Sequence, residues 1–357
     1  MFFMKKVEYY DIKQLNTIKT KNAFVFDIGL AILRPFLAFF VIITHCYNYK
    51  YAKGLWKLLI RKTKRFFFHV PIFFLMSFYF SQKTISSSNY RKKFERLERL
   101  CIPYFLWPII IYYLNKLLIK YSITKNVKKI QSLKYQLLIG SGDMNMYSFW
   151  YQFNMIFITI FYNLIILLFR KKYTNLVLTV IFITSFIVQY NGQNLLFGKN
   201  VVFGRIFEMM PYSVIGFFIS YSGIMNYMKK NRLLVIISCL YLLYFFYNHK
   251  IFIEIKGFYY QGLQFFFVSI CIFISFAMFP SEKIKNKKII QIIKQITNYT
   301  AGIYYLHLQI TEYTSKYIIQ IKYRTIKGCL IIYLLCYLFC FIGTFIFGKT
   351  KLRHLFE

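Results

Sequence analysis

Apolar residues gather into ten blocks along the chain, at approximately 27–48, 66–81, 101–119, 149–169, 173–190, 206–223, 233–248, 258–279, 299–319 and 328–347. Short connectors between them carry most of the Lys and Arg. A helix needs roughly 20 predominantly apolar residues to cross the hydrocarbon core of a bilayer, and the blocks have about that length, the second being the shortest. The pattern predicts an all-α fold, a polytopic transmembrane helical bundle of about ten spans. Several blocks also hold Pro, Asn, Gln or a charge, so they are expected to face a protein interior rather than lipid all round. The domain reading is a cytoplasmic N-terminal segment over 1–26, a transmembrane domain over 27–347 and a short cytoplasmic tail over 348–357. An even number of spans puts both ends on one side. A slight Lys and Arg excess in the connectors of that side predicts cytoplasmic termini in a multi-pass protein of the cell membrane. The first 24 residues are polar and lack the apolar core and small-residue site of a cleaved signal, so the first span is expected to act as an uncleaved anchor.

Composition narrows the class further. Of 357 residues, 58% are hydrophobic and 22% aromatic, which leaves too few polar side chains to clothe a soluble core of that size. A soluble globular domain, a disordered tail and a fibrous repeat are excluded. The 47 Lys and Arg against 11 Asp and Glu give a formal net charge of +36. Because the cations sit in connectors between apolar blocks, they are read as partners of lipid headgroups and not of nucleic acid. The seven cysteines, Cys46, Cys101, Cys239, Cys271, Cys329, Cys336 and Cys340, mostly fall inside or at the ends of apolar blocks without paired loop spacing. They are expected to be small buried hydrophobes, with neither a disulfide framework nor a metal site.

Ionisable residues inside the blocks are the candidate chemistry, because a charge at the bilayer centre costs about 2.5–3.5 kcal/mol on insertion scales. Arg34 and His45 stand eleven residues apart in ILRPFLAFFVIITHC. On a continuous helix that separation is about 1100°, some 20° beyond three full turns, so both share a face roughly 16 Å apart. A neutral His can take a proton from a hydroxyl, and a fixed cation can hold phosphate or carboxylate groups. The plainer alternative has Arg34 snorkelling to the inner headgroups and His45 ending the helix. Pro35 must start the regular helix or kink it.

Arg205 and Glu208, at i and i+3 in GRIFEMMPYSVIGFF, are placed side by side, either as a buried ion pair or as an interfacial salt bridge. Gly216 below them would permit close helix contact. His307, with Thr311 one turn on and Glu312 nearby, is either a second acid/base or an interior histidine bonded to Thr311 or a backbone carbonyl. In the connector NYRKKFERLERLCIPYFLW, Arg91, Lys92, Lys93, Arg96 and Arg99 precede Pro103, with Arg96 and Arg99 on one helical face. Such a cluster suits the phosphates of a nucleotide-like cofactor, or it is ordinary cytoplasmic anchoring. No Gly-rich phosphate loop, CxxC pair, HExxH or GxSxG is present.

In order, these segments resemble the acyltransferase-3 family of integral membrane acyltransferases, which includes many bacterial polysaccharide and O-antigen O-acetyltransferases. ILRPFLAFFVIITH is similar to that family's first-helix motif of Arg, ten residues, then His. HVPIFFLMSFYF is similar to its second helix, with Ser77 kept and Phe78 where Gly is usual. RKKFERLERLCIPYFLW is similar to its basic connector at Arg96, Arg99, Pro103 and Tyr104. FWYQF is similar to its turn at Trp150. RIFEMMPYSVIG carries its Arg-x-x-Glu and Gly pattern at Arg205, Glu208 and Gly216. YTAGIYYLH is similar to its SxGIYLxH stretch at Thr300, Gly302, Tyr304 and His307.

The resemblance implies transfer of an acyl group, usually acetyl from acetyl-CoA on the cytoplasmic side, to a hydroxyl of a cell-surface or lipid-linked glycan. It implies His45 as the central catalytic residue, with Arg34 holding the acyl-CoA or organising the cavity and Arg96 with Arg99 meeting the CoA phosphates. Ser77, Trp150, Arg205, Glu208 and His307 are implied as substrate-cavity residues, with no metal and no nucleic acid among the partners. Phe78 is expected to narrow helix packing or a channel beside Ser77. With about ten residues after the last span and no esterase-like domain among them, a second-stage transfer would need a partner. The rival reading is a transporter or flippase of an anionic lipid or sugar, in which the same interior charges line a path without chemistry, although no inverted repeat relates the two halves.

Overall fold

The computed structural model describes residues 27–46, 68–121, 149–169, 171–191, 201–248, 263–313 and 326–356. The expected N-terminal segment 1–26, most of the connectors at 47–67 and 122–148, and the side chains of Cys46 and Glu312 lie outside the described residues. Within them the chain is helical, with no strand. Twelve helices follow one another: α1 Ile28–Cys46, α2 His69–Ile85, α3 Tyr90–Lys120, α4 Trp150–Leu168, α5 Lys171–Asn191, α6 Val201–Ser222, α7 Ile224–Lys230, α8 Arg232–Asn248, α9 Leu263–Ala277, α10 Lys287–Asn298, α11 Thr300–Tyr313 and α12 Ile326–Phe347. A short 3-10 helix, Lys351–Leu355, follows α12.

Four stretches, Ile28–His45, Tyr90–Leu114, Trp150–Leu168 and Ile326–Phe347, are long and apolar enough to cross a bilayer, and three shorter apolar helices accompany them. The distribution of polarity is inverted relative to a soluble protein. Leu168 on α4, Tyr244 on α8 and Phe345 on α12 are 74%, 68% and 85% exposed, while Asn154, Glu208 and His307 are buried. Apolar faces of this extent would be untenable in water and are at home against lipid tails, so this is a membrane protein.

The bundle is organised around α1 and α2. Helix α1 packs on α2, α9, α10, α11 and α12, and α2 packs most extensively on α6. Leu30, Leu33, Leu37, Ala38, Val41 and Ile42 of α1 are all essentially inaccessible, which fixes the rotation of this helix and hence the direction of Arg34.

Helix α1 runs through Pro35 and does not start there. Two features explain why. Asp27 Oδ1 accepts from the Leu30 amide at 3.1 Å and Ser281 Oγ from the Ile28 amide at 3.1 Å, so the first turn is capped seven residues before the proline. A proline at this position also leaves the Ala31 carbonyl without its helical donor. The Thr297 hydroxyl donates to that carbonyl at 2.9 Å, sharing its hydrogen with the Ile293 carbonyl at 2.7 Å.

The basic connector is helical, as its spacing predicts: residues 90–100 are the first turns of α3, which continues into the apolar part of the same helix. Residues expected to form the connector 280–298 instead build α10, whose apolar positions Ile289, Ile290, Ile292, Ile293 and Ile296 share one face opposite Lys287, Lys288 and Lys294. Asn286 caps it, accepting from the Lys288 and Ile289 amides at 3.0 and 3.3 Å.

At the α2–α6 crossing, a Cβ on Gly216 would lie 2.2 Å from the Leu75 carbonyl oxygen. The backbones meet there with no room for a methyl group. Gly216→Ala is therefore expected to cost about 1–3 kcal/mol in overpacking and to lower the thermal unfolding midpoint of detergent-purified protein by several degrees. A midpoint equal to that of the wild type would mean that α2 and α6 separate at no cost.

Candidate active site

A cavity of about 500 Å³ opens between α1, α2, α3, α4, α10 and α11 and is closed on one side by the 3-10 helix. Among the described residues, four arginines line it, Arg34 from α1, Arg96 and Arg99 from α3, and Arg353 from the 3-10 helix, and no Asp or Glu does. Four fixed cations facing one volume without a carboxylate make a site for a polyanion. The Arg34 guanidinium lies over the Phe80 ring at 4.9 Å from the centroid, and that of Arg96 over Phe78 at 5.8 Å. Arg96 Nη2 donates to Ser77 Oγ at 3.4 Å, while its buried Nε has no hydrogen-bond partner. Within the basic first turns of α3, Arg91 instead pairs with Glu95 at 3.1 Å on the outer surface. Helical period thus sorts the cluster, sending Arg96 and Arg99 inward and Arg91 outward.

Much of the remaining lining is aromatic and tied down by hydrogen bonds. Tyr305 donates its hydroxyl to Gln152 Oε1 at 2.6 Å, and Gln152 Nε2 donates to the Leu100 carbonyl at 2.8 Å. Tyr151 and Tyr304 pack with centroids 5.0 Å apart, both lining the cavity.

His45 lies outside this lining. It stands three turns along α1 from Arg34, about 16 Å away on a continuous helix, at an exposed position. Its ring centroid is 5.2 Å from that of His307. His307 is fully buried; its Nδ1 donates to the Tyr304 carbonyl at 2.6 Å, which leaves Nε2 as the ring's lone-pair acceptor, and that atom has no hydrogen-bond partner. Thr311 bonds to the backbone carbonyl of His307 and not to its ring. Tyr304 connects the two parts of the site, because its ring lines the cavity and lies 5.8 Å from that of His307.

Trp150, Arg205 and Glu208 are placed elsewhere. The Arg205 guanidinium lies 4.4 Å over the Trp150 ring, between α4 and α6, and none of the three lines the arginine cavity. Phe78 does not itself line the cavity: its ring is buried in the packing between α2, α4 and α6, 5.1 Å from Tyr162, with the Arg96 guanidinium 5.8 Å from its centroid. Among the described residues no group of three or more His, Cys, Asp or Glu side chains is arranged to hold a metal ion. Cys101, Cys239, Cys271, Cys329, Cys336 and Cys340 are not in disulfides; Cys101 is half-buried and the others are buried.

Three site residues were not singled out from the sequence. His69, buried at the start of α2, is close enough for charge on His45 to act on it. Its signal is a histidine directly before Val70 and Pro71 at the mouth of an apolar block. Arg353 and His354 lie in what reads as a solvated tail; the signal there is Leu355 and Phe356, apolar residues that a solvated tail has no use for. His354 is held below the usual imidazole range, first by burial and then by the nearby charges of Arg99 and Arg353, so it is neutral at pH 7.

An all-helical membrane bundle thus encloses an arginine-lined cavity beside a histidine pair. Residues 27–349 match the family described as an acyltransferase domain, and the chain belongs to this family, acyltransferase-3. No curated protein and no solved structure matches the chain.

Proposed function

We propose that the protein is an O-acyltransferase of about ten spans in the cell membrane, with cytoplasmic termini. In this reading it transfers acetyl from acetyl-CoA to a hydroxyl of a cell-surface or lipid-linked glycan. The observation that carries it is the cavity lined by Arg34, Arg96, Arg99 and Arg353, joined through Tyr304 to His45 and His307. The cavity fits the donor: guanidinium groups match phosphate oxygens, the buried Arg96 Nε offers an unused donor, and the aromatic wall suits an acyl-pantetheine arm.

His45, as the neutral imidazole, accepts the proton of the acceptor hydroxyl while that oxygen attacks the thioester carbonyl carbon. The carbon–sulfur bond breaks, and the CoA thiolate takes the proton back from the imidazolium. His307 Nε2, a fixed acceptor, holds the His45 N–H or the acceptor hydroxyl in line. Arg34 anchors the donor at the other end of the α1 face, so that one helix sets the distance between phosphate binding and chemistry. A direct transfer and a relay through an acyl-histidine use the same groups. The family favours chemistry over the translocation alternative.

The test is incorporation of radiolabelled acetyl from acetyl-CoA into membrane glycans, comparing cells that make the protein with cells carrying an empty vector. Labelling above the vector level is expected. Labelling that never exceeds the vector across several glycan backgrounds overturns the acetyltransferase reading.

A further inference from the structure

The segment after α12 is built into the cavity. Trp107 Nε1 donates to the Leu355 carbonyl at 2.9 Å, and Lys351 pairs with Glu98 of α3. Phe356 stacks on Phe347 with centroids 5.9 Å apart, meets Trp107 edge-on at 5.8 Å and fills the spaces left by Gly302 and Gly343. A Cβ on either glycine would come within 2.6 Å of Phe356, so α11 and α12 are shaped to receive it. Docking of this strength holds a short stretch of chain in one place, and what it presents to the cavity is Arg353 and His354.

The cations of the cavity occupy two depths. Arg34 and Arg96 are half-buried on the inner part of the wall, whereas Arg99 and Arg353 are exposed at its mouth with His354 within reach of both charges. Coenzyme A carries its negative charge in two separate places, a pyrophosphate in the linker to pantetheine and a monophosphate on the ribose 3′ oxygen. The geometry points to a division of labour in which Arg353, with His354 and Arg99, grips the ribose 3′-phosphate while Arg34 and Arg96 hold the pyrophosphate. Arg353 is then the residue that sets specificity for CoA over its dephosphorylated form. The inference rests on the cavity being the acyl-CoA site. It goes beyond the family match, which covers residues 27–349 and leaves the 3-10 helix outside.

Binding of CoA and of 3′-dephospho-CoA to the full-length protein in detergent, measured by calorimetry, tests this. The wild type is expected to prefer CoA by about 10- to 100-fold, the range for a charge-assisted hydrogen bond that disappears with its phosphate. Arg353→Ala should weaken CoA by about tenfold or more and dephospho-CoA by less than about twofold, so that the preference collapses. Arg353→Lys should keep part of it. The side chain is exposed and the segment is docked through Lys351, Leu355 and Phe356, so the fold is not at stake. Equal weakening of both ligands by Arg353→Ala, or weakening of neither, overturns the assignment and leaves the donor cavity standing. A wild type that binds neither ligand overturns both.

Discussion

Replacing His45 with Ala is expected to lower acetyl incorporation by about 10²- to 10⁴-fold, the usual contribution of a positioned general base, at unchanged protein level and unchanged affinity for CoA. Each part of this expectation has a separate structural reason. His45 is exposed at the last turn of α1, so removing its imidazole opens no cavity in the core. It does not line the arginine cavity, so the donor site survives. What disappears is the imidazole facing His307 at a centroid distance of 5.2 Å. His307 cannot take over, because its fully buried ring is tied to the Tyr304 carbonyl and cannot move into the exposed position that the His45 imidazole vacates. The measurements are label incorporation, protein level by immunoblot and CoA affinity by calorimetry. Equal incorporation by the wild type and the variant would keep the acyltransferase and remove His45 from its chemistry.

The second large effect is expected at α3. The double variant Arg96→Ala, Arg99→Ala should lose affinity for CoA by on the order of 100-fold, since a hydrogen bond to a charged group contributes about 1.5–3 kcal/mol and two such side chains are removed. The same variant should unfold, without ligand, at a temperature no lower than the wild type. Arg96 sits among Arg34 and Arg99, and among the described residues no carboxylate lines their cavity, so in the free protein their mutual interaction is repulsive. The hydrogen bond from Arg96 to Ser77, at 3.4 Å, is long and weak. Loss of binding together with unchanged or improved thermal stability is the signature of a cation cluster maintained for a ligand. A large fall in the unfolding temperature would instead make the arginines structural, and unaltered CoA affinity would remove them from the donor site.

The motif residues were legible because the properties that reveal them are local. A charge inside an apolar block is conspicuous wherever the block folds, and that singled out Arg34, His45 and His307. Helical spacing correctly put Arg96 and Arg99 on one face, and both reach the cavity. The same local reasoning could not choose at Pro35 between starting the helix and lying within it, because the donor that meets the carbonyl left open, Thr297, belongs to α10. At Phe78 it left two outcomes open, tighter helix packing or a narrower channel. Adjacent residues on a helix point about 100° apart, so Ser77 faces the cavity while the Phe78 ring sits in the packing between helices.

The sequence by itself determined that this is an all-helical membrane protein, because the length and apolarity of its blocks are properties of the segments alone, and bilayer insertion depends on little else. It also picked out Arg34, Arg96, Arg99, His45 and His307 and the family pattern that orders them. Only the tertiary structure decided which of these meet. Helices α1 and α11 bring His45 against His307, the 3-10 helix brings Arg353 and His354 to Arg99, and Arg205 stacks on Trp150 away from the cavity. Such meetings depend on how each helix is rotated and where distant segments dock. Those are set by side-chain packing between elements far apart in the chain, such as Phe356 against Gly302 and Gly343, and no local period encodes them.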